Sequence, residues 1–315
     1  MVHQGVPKLK SVLCLGGANV DRKLRSMGPL QMGTSNPATQ QESAGGVARN
    51  VAENLARLGL KVALIAAVGD DAAGRALLAH AASLGIHTEA SLQLAGQSTG
   101  SYTALLDPQG ELLLAMAAMD LCEAITPVYL QQCRAHWAQA GLIVVDLNLP
   151  MATLQALTDF ARTSATPLVM VAVSAPKMAH LPPDLNGMTV LVLNRDELAA
   201  VAGVALPTLR GIGAACAMLR KRGVRDVVVT LGAKGVAYTD GVMLRRLAAP
   251  KVKVIDVTGA GDAFSAGLCW SLHRQSQDLD LACRRGLALA AHTLQCDTAV
   301  SADLNPAVLL DVAAD

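Results

Sequence analysis

Short runs of aliphatic and β-branched residues alternate along the chain with longer stretches in which apolar positions recur at helical spacing. The short runs Ser11–Leu15, Val62–Val68, Leu142–Asp146, Leu168–Val173, Val190–Leu193, Asp226–Thr230 and Gly235–Thr239 predict strands. The longer stretches predict helices over Ala48–Leu58, Ala72–Leu84, Met151–Thr163, Asp196–Val201, Leu209–Arg222, Ala260–Arg274 and Leu279–Thr293. Several of the strands are apolar throughout, as in a parallel sheet covered by helices on both faces. This order predicts an α/β fold in which a single domain, residues 1–315, packs helices on both sides of one sheet.

Two stretches break the rhythm. Residues 20–44 are polar and rich in Gly, Pro, Ser, Thr and Gln. Residues 90–120 hold two β-prone runs, Ser98–Leu106 and Glu111–Met119, around Asp107-Pro108-Gln109-Gly110, a good hairpin turn. Together they predict a small β-sheet lid beside the main sheet.

Composition narrows the function. With 26 Lys+Arg against 25 Asp+Glu, a net charge of +1 and only 2% aromatic residues, the chain has neither the basic surplus nor the stacking rings of a nucleic-acid binder. The 52% hydrophobic content suits a large aliphatic core, yet no apolar run approaches the ~18–20 residues of a membrane span. The seven cysteines include no C-x-x-C pair and read as reduced thiols of a cytoplasmic protein. The seven histidines show no H-E-x-x-H or H-x-x-x-H spacing, which argues against a built-in metal site. There is also no G-x-x-x-x-G-K-[ST] loop and no G-x-G-x-x-G fingerprint.

The most informative segment is Asp256-Val257-Thr258-Gly259-Ala260-Gly261-Asp262-Ala263-Phe264, after the strand-like Val252–Ile255 and at the start of a helix. A glycine turn at a helix N-terminus presents backbone N–H groups to an anion such as a phosphate. The helix end should also favour the carboxylate form of Asp262, leaving it ionised at neutral pH. A second glycine pair, Gly45-Gly46, leads into a helix bearing Asn50, and Asn19-Val20-Asp21 follows the first strand. A carboxylate and an amide are suited to holding the vicinal hydroxyls of a sugar. Asn194 and Glu197 lie one helical turn apart, where they either reach phosphate-bound metal or simply cap the helix.

The string D-x-T-G-A-G-D-A-F resembles the C-terminal signature of the ribokinase (PfkB) superfamily of sugar and nucleoside kinases. The early Asn-x-Asp, the Gly45-Gly46 pair, the N-x-x-E element at Asn194–Glu197 and Thr230-Leu231-Gly232-Ala233-Lys234-Gly235 match further motifs of that superfamily, in order. Within it, Gly45-Gly46-Val47-Ala48-Arg49-Asn50-Val51-Ala52-Glu53-Asn54-Leu55 and Ser98-Thr99-Gly100-Ser101-Tyr102 are similar to the pseudouridine kinase group.

The resemblance implies a ribokinase-like three-layer α/β/α sandwich with a β-lid, acting as an ATP- and Mg²⁺-dependent kinase on a nucleoside or sugar hydroxyl. It assigns catalysis to Asp262 with the turn Gly259, Ala260 and Gly261. Substrate binding falls to Asn19, Asp21, Gly45, Gly46, Asn50, Ser101 and Asp262. Nucleotide binding falls to Asn194, Thr230, Gly232, Gly235, Gly259 and Gly261. Metal binding falls to Glu197 for Mg²⁺ and to Asp256 and Thr258 for a monovalent cation such as K⁺. It also implies a homodimer paired through the lid. One departure stands out: Val171 occupies a strand end where the superfamily often has an acidic residue.

Overall fold

The computed structural model describes residues 10–241, 243–274 and 278–312. In chain order the first half runs β1 (Val12–Leu15), β2 (Asn19–Ser26), β3 (Ala38–Gly45), α1 (Val47–Arg57), β4 (Val62–Ile65), β5 (Ala67–Gly69) and α2 (Ala72–Ser83). There follow β6 (Leu92–Leu94), β7 (Ser101–Leu106), β8 (Leu112–Ala118), α3 (Pro127–Gln132), β9 (Leu142–Asp146) and α4 (Met151–Ser164). The second half runs β10 (Leu168–Val171), β11 (Val190–Asn194), α5 (Arg195–Ala202), α6 (Leu209–Lys221), β12 (Asp226–Thr230), β13 (Val236–Asp240) and β14 (Met243–Leu247). It closes with α7 (Ala260–Arg274), α8 (Leu279–Thr293) and α9 (Ala307–Leu310).

The main sheet has the order β14-β13-β12-β11-β10-β9-β1-β4, parallel from β12 to β4, with β13 and β14 antiparallel at one edge. Its strands are apolar throughout because both faces are covered. Val12 and Cys14 of β1 point into one core with α1, α7 and α8, while Leu13 and Leu15 point into a second with α4 and α6. Three α/β/α layers result.

A second sheet, β3-β2-β7-β8, stands off the main body, and β7 and β8 form the hairpin read from Asp107–Gly110. That turn is closed by the Asp107 carboxylate, whose Oδ1 accepts from the backbone N–H groups of Gln109 (2.9 Å) and Glu111 (2.8 Å). Two expectations need correction. Val62–Val68 is two strands, β4 and β5, and β5 leaves the main sheet to pair with β6. Val252–Ile255 joins no sheet, and Val252 and Val254 line a cleft instead.

Candidate active site

Two helices meet N-terminus to N-terminus under the four-stranded sheet. The first, α1, begins after Gly45-Gly46. Gly46 has φ 100°, and a Cβ there would collide with the Gly17 carbonyl, so only glycine lets the turn lie against the end of β1. A Cβ on Gly45 would strike the Asp21 carboxylate. The turn is pinned from below by Asp146 at the end of β9. Its buried carboxylate accepts from the N–H groups of Gly17 (2.9 Å), Ala48 (3.0 Å) and Asn148 (2.9 Å).

The second helix, α7, begins after Gly259, whose φ of 79° and contact with the Ala299 carbonyl again require glycine. Asp262 lies in its first turn, and Asn50 of α1 donates to Asp262 Oδ2 through Nδ2 at 2.7 Å. The Asn50 Oδ1 is held in turn by the Arg49 guanidinium, which also pairs with Glu53 at 2.5 Å. The Asn50 amide is therefore fixed with its N–H group facing Asp262. On β2, Asn19 donates to Asp21 Oδ1 at 2.6 Å. Asn19, Asp21, Gly45, Gly46, Asn50 and Asp262 thus come together in one place.

The electrostatics correct one expectation. Burial pushes Asp262 up from 3.8 to about 7, and the charges of Asp146 and Asp21 add to this, against the Asn50 hydrogen bond and Arg49. Enclosure of the carboxyl outweighs the helix end, so Asp262 is poised between its two forms at neutral pH instead of fully ionised. Asp21 is raised for the same first reason, burial, offset by Asn19, Arg49 and Lys23. Asp146 is raised by burial against its backbone hydrogen bonds.

On its other side the Gly259–Gly261 turn opens into an apolar cleft of about 550 Å³. Thr230, Gly232, Gly235, Val252, Val254 and Gly261 are among its walls. A Cβ on Gly261 would meet no protein atom, so the space beside it is free for a ligand. Asn194 lies instead on a neighbouring cleft that shares Thr230 and Gly232. Asn194 and Glu197 form a capping box on α5. Asn194 Oδ1 accepts from the N–H groups of Asp196 and Glu197 at 2.9 Å, and Glu197 Oε2 accepts from Asn194 N–H at 2.6 Å. Burial raises Glu197.

Ser101 is not brought to this cluster. In the β2–β7 register Asp21 pairs with Tyr102, and Ser101 pairs with Val20. Ser101 therefore shares the sheet face of Val20 and Arg22, and Tyr102 and Ala104 share the face of Asp21 and Lys23. Asp146 and Arg49 were missed as site residues. For Asp146 the available signal was an acidic residue ending an apolar strand, in register with Val171 on β10.

Fold and site together define a kinase of the carbohydrate-kinase class, and residues 9–305 match the pfkB family carbohydrate kinase. The chain belongs to that family. Among particular relatives, it is 37% identical to the pseudouridine kinase of Escherichia coli (strain K12) over 262 residues, 82% of this chain and 83% of that one. It superposes on a carbohydrate kinase from Agrobacterium tumefaciens with TM-score 0.81 and 34% identity, covering 96% and 97% of the two chains. With the Arabidopsis thaliana ribokinase complexed with ribose and ATP the TM-score is 0.83 at 21% identity, covering 97% and 99%. The fold is ribokinase-like.

Proposed function

We propose that this kinase transfers the γ-phosphoryl group of ATP to the 5′-hydroxyl of pseudouridine. The observation that carries the reading is the meeting of the two glycine turns, where the Asn50–Asp262 contact joins a hydroxyl-binding cluster to a turn open on an apolar cleft. The similarity to a pseudouridine kinase supports the choice of acceptor.

Asp21, with Asn19 and Asn50, holds the ribose hydroxyls. Asp262 accepts the proton of the attacking hydroxyl as the new oxygen–phosphorus bond forms and the bond to the β-phosphate oxygen breaks, releasing ADP. The first-turn N–H groups of α7 neutralise charge on the moving phosphoryl group. Because this transfer is dominated by positioning and charge, the base need only be well placed and ionised for part of the time. The adenine lies in the apolar cleft beside Gly232 and Gly235.

Mg²⁺ would supply charge neutralisation on the ATP phosphates. No group of three or more His, Cys, Asp or Glu able to hold a metal occurs among the described residues, and Glu197 is buried in a helix cap. The ion therefore fits as one carried by phosphate and water, not as one bound by Glu197. Two further parts of the reading are a cytoplasmic setting, consistent with seven free cysteines, and a homodimer through the lid. Leu112, Leu113, Leu114 and Met116 of β8 are each more than half exposed, an apolar patch that a second copy would cover.

ATP consumption across pseudouridine, uridine, guanosine, adenosine, ribose and fructose tests the acceptor. The highest kcat/KM is expected for pseudouridine. A higher value for another acceptor transfers the activity to that substrate, and binding without turnover for all of them identifies a sensor, the reading that Val171 would favour.

A further inference from the structure

Strand β2 carries the sugar-binding groups on one face, and the next position on that face is Lys23. Its side chain does not follow Asp21 into the sugar cluster. It reaches across to the loop before the phosphoryl turn, where Nζ lies 2.6 Å from Asp256 Oδ2 and 3.0 Å from Thr258 Oγ1. The other carboxylate oxygen, Asp256 Oδ1, accepts from the Thr258 N–H at 2.9 Å and the Thr258 hydroxyl at 2.7 Å. One oxygen of Asp256 thus shapes the loop and the other faces a cation supplied by the lid. Thr258 is followed directly by Gly259, so this small network ends at the turn that would receive the phosphoryl group.

The family resemblance offered Asp256 and Thr258 to a monovalent cation. The side chains do not fit that assignment, because the Asp256 oxygen and Thr258 hydroxyl that would face such an ion already hold an ammonium group. Both partners are partly enclosed, at 28% and 25% side-chain exposure, so the pair is less screened than a surface ion pair. Burial alone would raise Asp256, yet Lys23 and Thr258 hold it below the usual carboxylate value. A tethered ammonium also does what a free ion cannot: it joins the lid strand that bears Asp21 to the loop that positions Gly259.

We propose that Lys23 is a built-in replacement for a monovalent cation, a positioning residue whose ammonium neutralises Asp256 and holds the phosphoryl turn in place with the lid engaged. The proposal rests on the kinase reading. It predicts an enzyme whose turn is ordered whatever monovalent salt surrounds it, and a dependence on K⁺ that appears once the ammonium is removed.

The test compares wild type with Lys23→Met, which keeps the side chain out to Cε but removes the ammonium group. Each is measured in KCl and in tetramethylammonium chloride at equal ionic strength, by phosphoryl transfer and by thermal unfolding. Wild type should give the same rate and the same Tm in both salts. Lys23→Met should lose roughly tenfold or more in kcat in tetramethylammonium, the scale of one lost charge-assisted hydrogen bond. K⁺ should restore both its rate and its Tm. A wild-type enzyme that needs K⁺, a Lys23→Met protein unaffected in either salt, or a loss that K⁺ does not restore would each overturn the proposal. If no acceptor is turned over by wild type in either salt, the kinase reading has failed instead, and the K⁺-dependence of the Tm of Lys23→Met still decides the role of Lys23.

Discussion

The two glycine turns look alike in sequence and differ in what surrounds them. The Gly45-Gly46 turn is closed in by protein: Asp21 above, the Gly17 carbonyl behind and the Asp146 carboxylate below. The turn at Gly259–Gly261 is fixed at Gly259 by the Ala299 carbonyl, yet Gly261 faces open space along the apolar cleft. The Gly45-Gly46 turn is thus preorganised by the chain itself, and the Gly259–Gly261 turn is left open, as the proposed phosphoryl site requires. Asn50 and Asp262 join the two, and Asp262 bears the consequence of being buried close to Asp146 and Asp21.

The largest expected effect falls on Asp262. Replacing it with Asn preserves the shape and a hydrogen bond to Asn50 while removing the base, so kcat should fall by roughly 10²–10⁴-fold with nucleoside affinity retained. Isothermal titration beside steady-state rates would show this split. A folded Asp262→Asn protein with wild-type turnover would remove proton acceptance by Asp262 from the mechanism.

Alanine at the two turns sharpens the contrast. Gly46→Ala should lower Tm, because the new Cβ meets backbone at a positive φ. Gly261→Ala should leave Tm unchanged and cut kcat by up to ~10²-fold, since its methyl group occupies phosphate space. Equal losses of stability in both would contradict the difference between a closed and an open turn. Asp21→Ala, on the closed side, should raise the nucleoside KM by roughly 10–100-fold, the scale of charge-assisted hydrogen bonds, with a smaller change in kcat. An unchanged KM would take Asp21 out of the sugar site.

The smallest effect is on stability. Since the folded pKa of Asp262 lies above its ordinary value, the folded state binds more protons between about 4 and 7, and stability falls as pH rises through that window. Asp262→Asn removes this penalty. Its Tm should exceed that of wild type by more at pH 8 than at pH 5, and differential scanning calorimetry at the two pH values would read it.

Both turns were legible in the sequence because each is a contiguous string whose glycines and acidic or amide residue sit within a few positions. The long-range partners were not. Asp146 acts on Gly17 and Ala48 across 129 and 98 residues, and Lys23 reaches Asp256 across 233. An acidic end to an apolar strand marks Asp146 as unusual, but nothing local names the partners of either residue. Ser101 illustrates a different limit: the β-prone run that became β7 was readable, but which of its faces looks toward Asp21 depends on the pairing register with β2. The expected strand at Val252–Ile255 failed because apolar, β-branched residues also suit a cleft wall. The ionisation of Asp262 was misread because a helix start is visible in sequence, while the burial of the carboxyl and its nearness to Asp146 and Asp21 are not.

The central claim is that Asp262, enclosed beside Asn50, is the proton acceptor in phosphoryl transfer. The pH dependence of kcat/KM for the nucleoside, measured side by side for wild type and Asp262→Asn, tests it most directly, because ATP contributes its own terminal-phosphate ionisation equally to both. The account predicts a wild-type profile that rises with pH through a midpoint near 7 and a variant profile from which that rise is missing. The same rise in both proteins, or a wild-type profile flat from pH 5 to 9, would contradict it.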